Sequence, residues 1–196
     1  GAGESNDSGE LNSFFGIASG ESNILGNFNS FFGSGSGMDN DNGSSNSFFG
    51  QGSGSHNING SRNSFFGTSS GWHHVSGDEN SFFGRASGYK LISGSQNTLI
   101  GSQSGYFNQI GSGNVFIGFK AGFDEQSSNK LYIENTDADS LNALIYGDFL
   151  NDKLVLNANV GIGTIDPTAE LEVNGDIKAN NFIGNVHAQE ISDTDA

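Results

Sequence analysis

The sequence predicts an all-β fold, a parallel β-solenoid built from short stacked coils, and three observations predict it. The phrase NSFFG begins at Asn12, Asn29, Asn46, Asn63 and Asn80 and continues as NTLIG at Asn97 and NVFIG at Asn114, always 17 residues apart. Two further glycine columns keep the same phase, one from Gly20 through Gly37, Gly54, Gly71, Gly88 and Gly105 to Gly122, the other from Gly9 to Gly111. The 31 glycines alternate in register with phenylalanine, and only one proline interrupts the chain. Glycine without period would mean disorder, whereas glycine in phase means order that comes from stacking. A fixed short period is the mark of coils that bury their apolar side against the coil above and below.

Residues 3–122 carry seven periods and form the predicted head. A unit with three glycines has room for two short strands and two tight turns, and at roughly 4.8 Å per coil the stack would be about 33 Å long. From residue 123 to residue 196 the period is lost and a β-rich connector or shaft is expected. Its strand candidates are Lys130–Ile133, Ala143–Tyr146, Lys153–Leu156, Val160–Ile162 and Glu170–Val173. Turn-prone Asn151, Asp152, Asn157, Asn159, Asn174 and Gly175 separate them, which predicts hairpins or an intertwined shaft. No amphipathic helix is evident there. The polar run from His187 to Ala196 is expected to fray or to lead into further sequence, and the chain reads as part of a longer one.

Charge narrows the function. A net charge of −15 lacks the basic stripe that nucleic acid requires and opposes adhesion to anionic lipid. Cysteine is absent, so disulfide staples and thiolate metal sites are not available. No apolar run approaches the ~18 residues of a membrane-spanning helix, so direct membrane insertion is not expected.

The doubled aromatics bear on assembly. Neighbouring side chains of a strand point to opposite faces, so the column from Phe14 to Phe116 and the column from Phe15 to Ile117 cannot both fill one coil. The outer column is a continuous apolar stripe, and each buried Phe is worth roughly 1.5–3 kcal/mol, so an uncovered stripe would drive association. A closed ring of parallel copies, most simply a homotrimer, covers it on every copy.

The polar columns read as structure. Asn12 to Asn114 would form an amide ladder, and Asn6, Asn23, Asn40 and Asn57 a second one that decays at His74 and Leu91. The serines from Ser19 to Ser104 fit a corner that admits only a small residue. No histidine and carboxylate recur beside them, so a catalytic triad has no support, no cofactor is expected, and an enzyme is the least expected class.

Two columns carry candidate ligand chemistry. Trp72, Tyr89, Tyr106 and Phe123 occupy one position on four successive coils, and such a row suits either the faces of sugars or a packing seam. At the next position Asp39, His56 and His73 stack a carboxylate and two imidazoles, ligand types that suit a transition metal, before Lys90 follows. Asp39, Asp41 and Gly43 begin like a calcium loop, but Gly50 stands where the closing glutamate belongs. Gly161 and Gly163 form a lone GxG with no helix after it, the signature of close backbone approach rather than of a dinucleotide site.

The repeat, for instance from Asn63 to Gly77, resembles the β-roll repeats of trimeric autotransporter adhesin heads and of phage-tail-fibre-like surface proteins. Asn129–Ile133, Leu144–Gly147, Asn159–Thr164, Pro167 and Leu171–Ile177 resemble the segment before the intramolecular chaperone of tail-fibre proteins, and the sequence given ends at Ala196 before any such chaperone. The resemblance implies a trimeric, left-handed β-roll, extracellular at a cell surface or on a phage or secretion-apparatus fibre. Its work would be attachment to a glycan or protein receptor. An ice- or crystal-surface-binding solenoid is the alternative, although the threonine array such a face uses is missing.

Overall fold

The computed structural model describes residues 1–181, and the run from His187 to Ala196 lies outside them. The chain divides into two compact units, Gly1–Asn157 and Ala158–Ala196. Among the described residues there are strands and turns and no helix.

The first unit is a parallel β-solenoid. Strands β1 (Ser13–Phe15), β2 (Ser30–Phe32), β3 (Ser47–Phe49), β4 (Ser64–Phe66), β5 (Ser81–Phe83), β6 (Thr98–Ile100) and β7 (Val115–Ile117) are the repeated phrases. They pair in parallel and in register, Phe14 on Phe31, Phe31 on Phe48, and so on to Leu99 on Phe116. The ladder continues past the repeats, since β8 (Lys130–Ile133) pairs in parallel with β7. It then reverses: β9 (Ile145–Asp148) and β10 (Lys153–Leu156) add antiparallel strands, and all ten form one sheet in chain order. The Lys130 ammonium lies 2.9 Å from Asp148 and locks this reversal. That contact pulls the Asp148 carboxyl down to about 2.

Each coil has one strand where two were expected. The reason is the density of left-handed residues: in the second coil Gly33, Gly35, Gly37 and Ser45 all have positive φ, and an extended run cannot persist through them. Across from the strand, three successive amides converge on one carbonyl instead of forming a ladder. Asp41 N, Asn42 N and Gly43 N all donate to Ile58 O, at 3.1, 2.9 and 3.3 Å.

The paired aromatics separate as the alternation of a strand requires. Phe31, Phe48, Phe65, Phe82 and Phe116 are fully buried, and the rings of Phe31, Phe48 and Phe65 stack 4.8 Å apart. Each ring lies against the following glycine of the Gly20 column; a Cβ at Gly37, whose φ is +56, would fall 2.4 Å from the Phe31 ring. The outer column is open, with Phe15 71%, Phe32 39% and Phe83 43% exposed, and its rings from Phe32 to Phe83 stack at 4.8 to 4.9 Å.

Both asparagine columns are buried ladders. The Asn29 Oδ1 accepts from the Asn46 backbone N at 3.0 Å, and Asn46 Nδ2 donates to Gly60 O at 2.8 Å, a pattern repeated from Asn12 to Asn114. In the second column Asn40 Nδ2 donates to Asn23 Oδ1 at 2.6 Å and Asn57 Nδ2 to Asn40 Oδ1 at 2.7 Å. Asn40 therefore points inward. His74 takes the next place in this column, fully buried, with Nδ1 3.1 Å from Asn57 Oδ1 and Nε2 3.2 Å from Asn80 Nδ2. An amide oxygen on Nδ1 and an amide donor on Nε2 fix the neutral ring with its proton on Nδ1.

The column of small residues also has a structural task. The hydroxyls of Ser19, Ser36 and Ser53 each donate to the carbonyl of the inner Phe one coil on, at 3.0 Å.

In the second unit β11 (Val160–Ile162) pairs with β12 (Leu171–Val173). The pairing is parallel, so residues 163–170 form a crossing loop rather than the tight turn of a hairpin. The Gly161 backbone approaches Thr164 closely, since a Cβ there would fall 2.3 Å from the Thr164 carbonyl oxygen.

Candidate functional site

Two adjacent columns on the turns of the solenoid hold the candidate ligand-binding side chains. Gly71, Gly88, Gly105 and Gly122 all have φ near +60, and each turns the chain so that the next residue points outward. Trp72, Tyr89, Tyr106 and Phe123 follow them and stack in a row, with ring centres 6.4, 5.0 and 5.4 Å apart. All four are half-buried. Phe107 closes one side, edge-on to Tyr106 at 4.8 Å and to Phe123 at 5.1 Å, and the Lys120 ammonium lies 4.9 Å from the Phe123 ring. Trp72 lies over the backbone of Gly52, where a Cβ would meet its ring at 2.0 Å.

The neighbouring column runs Asp39, His56, His73, Lys90 and Phe107. His56 Nδ1 is 3.0 Å from the Trp72 carbonyl and so carries its proton there, which turns Nε2 toward Asp39 at 3.7 Å. His73 stacks on His56 at 5.5 Å and meets the Tyr89 ring edge-on at 5.1 Å. Desolvation, aided by the electrostatic influence of neighbouring His56 and Lys90, holds the His73 imidazole below its usual pKa. Asp39, His56 and His73 are thus neighbours in sequence along the column. Among the described residues, no group of three or more His, Cys, Asp or Glu is arranged to hold a metal ion.

One feature of this face escaped the sequence. His73 and Lys90 border a groove of about 310 Å³ whose other walls are Val75, Ile92 and Gln109. The signal was there in the aliphatic run Ile58, Val75, Ile92 at a fixed phase, but flanking Asp41 and Gln109 mask it as a column. A second concavity of about 210 Å³ lies where the repeats end, between Gly122 and Ser140. Tyr132 there donates to Glu125 Oε2 at 2.9 Å, and burial together with that carboxylate pushes its phenol pKa far up.

No family model, curated protein or solved structure matches the chain.

Proposed function

We propose that this chain is the head of a homotrimeric fibre, a left-handed β-roll with a short-stranded shaft after it, that attaches to a surface by many weak contacts. Glycan is the receptor class that its half-buried aromatic row suits, since stacked rings offer apolar area to the C–H faces of sugars. Repetition on three copies turns weak sites into firm attachment, because each further contact is made at high effective concentration. The setting of such a head is extracellular, and its chemistry is binding rather than catalysis.

The observation that carries this reading is the outer apolar stripe from Phe15 to Ile117, where every coil leaves a Phe or Ile on the outer face of its strand and none folds inward. Ordinary soluble surfaces do not expose large hydrophobics at every repeat without a partner to cover them. A closed ring of copies covers the stripe without leaving a growing end. Light scattering at micromolar concentration tests it: three times the chain mass of 20.5 kDa is expected. A stable monomer removes the reading.

A further inference from the structure

The groove beside Lys90 differs in charge from two other concavities of this acidic chain. Asp124, Glu125, Asp137 and Asp139 line the concavity at the end of the repeats, and Glu4 and Asp7 line one near the amino terminus. His73, Val75, Lys90, Ile92 and Gln109 line this groove, and no carboxylate is among them. Arg62, Lys120 and Lys130 are each paired with a carboxylate. Lys90 makes no ion pair among the described residues and rests only over the Phe107 ring, 4.6 Å from its centre.

Four of the five backbone amides at the groove are committed, and Gln109 N alone has no acceptor among the described residues, too few for a nest. His73 N, Val75 N, Lys90 N and Ile92 N are all committed to carbonyls of the next coil, at 3.1, 2.9, 3.0 and 2.8 Å. A phosphate site built on a nest of amides is therefore ruled out at this place. The side chains supply one ammonium, one neutral imidazole and one amide above an aliphatic floor, beside the single backbone donor of Gln109. That set suits a ligand with a single negative charge, several hydroxyls and a flat C–H face.

We propose that the groove lined by His73, Val75, Lys90, Ile92 and Gln109 binds an acidic sugar, its carboxylate on the Lys90 ammonium and its ring face on Val75 and Ile92. Gln109 and His73 supply hydrogen bonds to the hydroxyls. The proposal rests on the reading of the chain as a glycan-binding head and names the class of sugar.

Saturation-transfer NMR on the intact chain tests it, with methyl β-D-glucuronide against methyl β-D-glucoside, two probes that differ only in the carboxylate. The glucuronide is expected to bind at least about tenfold more tightly, the ratio that about 1.4 kcal/mol supplies. Lys90→Gln should reduce it to the level of the glucoside with an unchanged melting temperature, while Lys153→Gln, at a cation remote in sequence, should change nothing. Equal binding of both sugars, no binding of the glucuronide, or full binding by Lys90→Gln overturns the proposal. The two readings fail separately. A monomer that still binds the glucuronide through Lys90 removes the fibre head and keeps the groove, whereas a trimer that binds neutral glycans indifferently to Lys90 does the reverse.

Discussion

Leu91 precedes Asn108 by one coil in the same inward column, and Asn108 Nδ2 is buried without a hydrogen-bond partner among the described residues. Wherever the preceding coil supplies an asparagine, as Asn40 does for Asn57, that donor finds an amide oxygen at 2.6 to 2.7 Å. A leucine side chain has no acceptor to offer. The amide of Asn108 turns instead to accept from Gly111 N at 2.7 Å, and its own donor is left over.

Leu91→Asn should therefore cost less than its loss of apolar burial suggests. Leu91→Ala opens a cavity and is expected to destabilise by about 2–5 kcal/mol. Leu91→Asn restores an acceptor to Asn108, and relief of an unsatisfied buried donor is worth about 1–3 kcal/mol, so it is expected to cost less than Leu91→Ala by about that amount. Urea unfolding of the two variants checks it, and an asparagine variant as weak as the alanine one refutes the ladder argument.

His74 gives the stability a pH dependence with a defined sign. Burial lowers its pKa to about 4 from 6.5, so below pH 6.5 the unfolded chain takes up a proton that the folded chain refuses. The contribution of His74 is intact above pH 6.5 and is lost as the pH falls toward 4, in all on the order of 3 kcal/mol per chain. His74→Asn, which restores the ladder residue, should flatten the urea midpoint over this window relative to the parent. Identical slopes for both proteins would refute it.

The two members of the Phe pair should fail in different ways. Phe48 is fully buried within its own coil, so Phe48→Ser is expected to lower the stability of the single chain by about 3–5 kcal/mol. Phe49 belongs to the outer stripe, so Phe49→Ser should leave the coil folded and weaken association. Circular dichroism and light scattering on the same samples separate the effects, and equal, negligible changes would contradict the assignment of faces.

Gly52 and Gly35 form a matched pair for testing the seat of Trp72. Both have a left-handed φ, +63 and +66, but a Cβ at Gly52 strikes the Trp72 ring and one at Gly35 meets nothing within 4 Å. Gly35→Ala should cost about 1–2 kcal/mol from backbone strain alone. Gly52→Ala should cost more and shift the fluorescence of the only tryptophan, and Trp72→Ala in the same chain should bring its cost back toward that of Gly35→Ala. A silent fluorescence spectrum would show that the ring does not rest on Gly52.

The repeat made the solenoid legible because the 17-residue period is itself the register: Phe14 pairs with Phe31 for the same reason that the phrases align on paper. The strands at Lys130–Ile133, Lys153–Leu156 and Val160–Ile162 were equally readable from β-branched and aromatic runs. The second strand per coil was a misreading, because nothing in residues such as Ser45 or Ala18 announces a positive φ. The parallel pairing of β11 with β12 was hidden too, since it depends on a crossing loop and not on turn chemistry. Of the candidate columns, the sequence placed Trp72 beside Tyr89 and His56 beside His73, but it could not show the Lys90 groove, whose walls come from three different coils.

Because the turns confine each coil to a single three-residue strand, β1 at the edge of the described sheet is a poor template for adding copies. Stacked rings at 4.8 Å share the spacing of amyloid, yet Ser13–Phe15 offers a neighbouring chain a docking edge only three residues long. At the other edge of the same sheet the direction of the chain has already reversed through β9 and β10, so an incoming parallel coil would meet strands that run in alternating senses. On the reading of the chain as a fibre head, lateral association through the outer phenylalanines would meet little competition from strand addition at these edges.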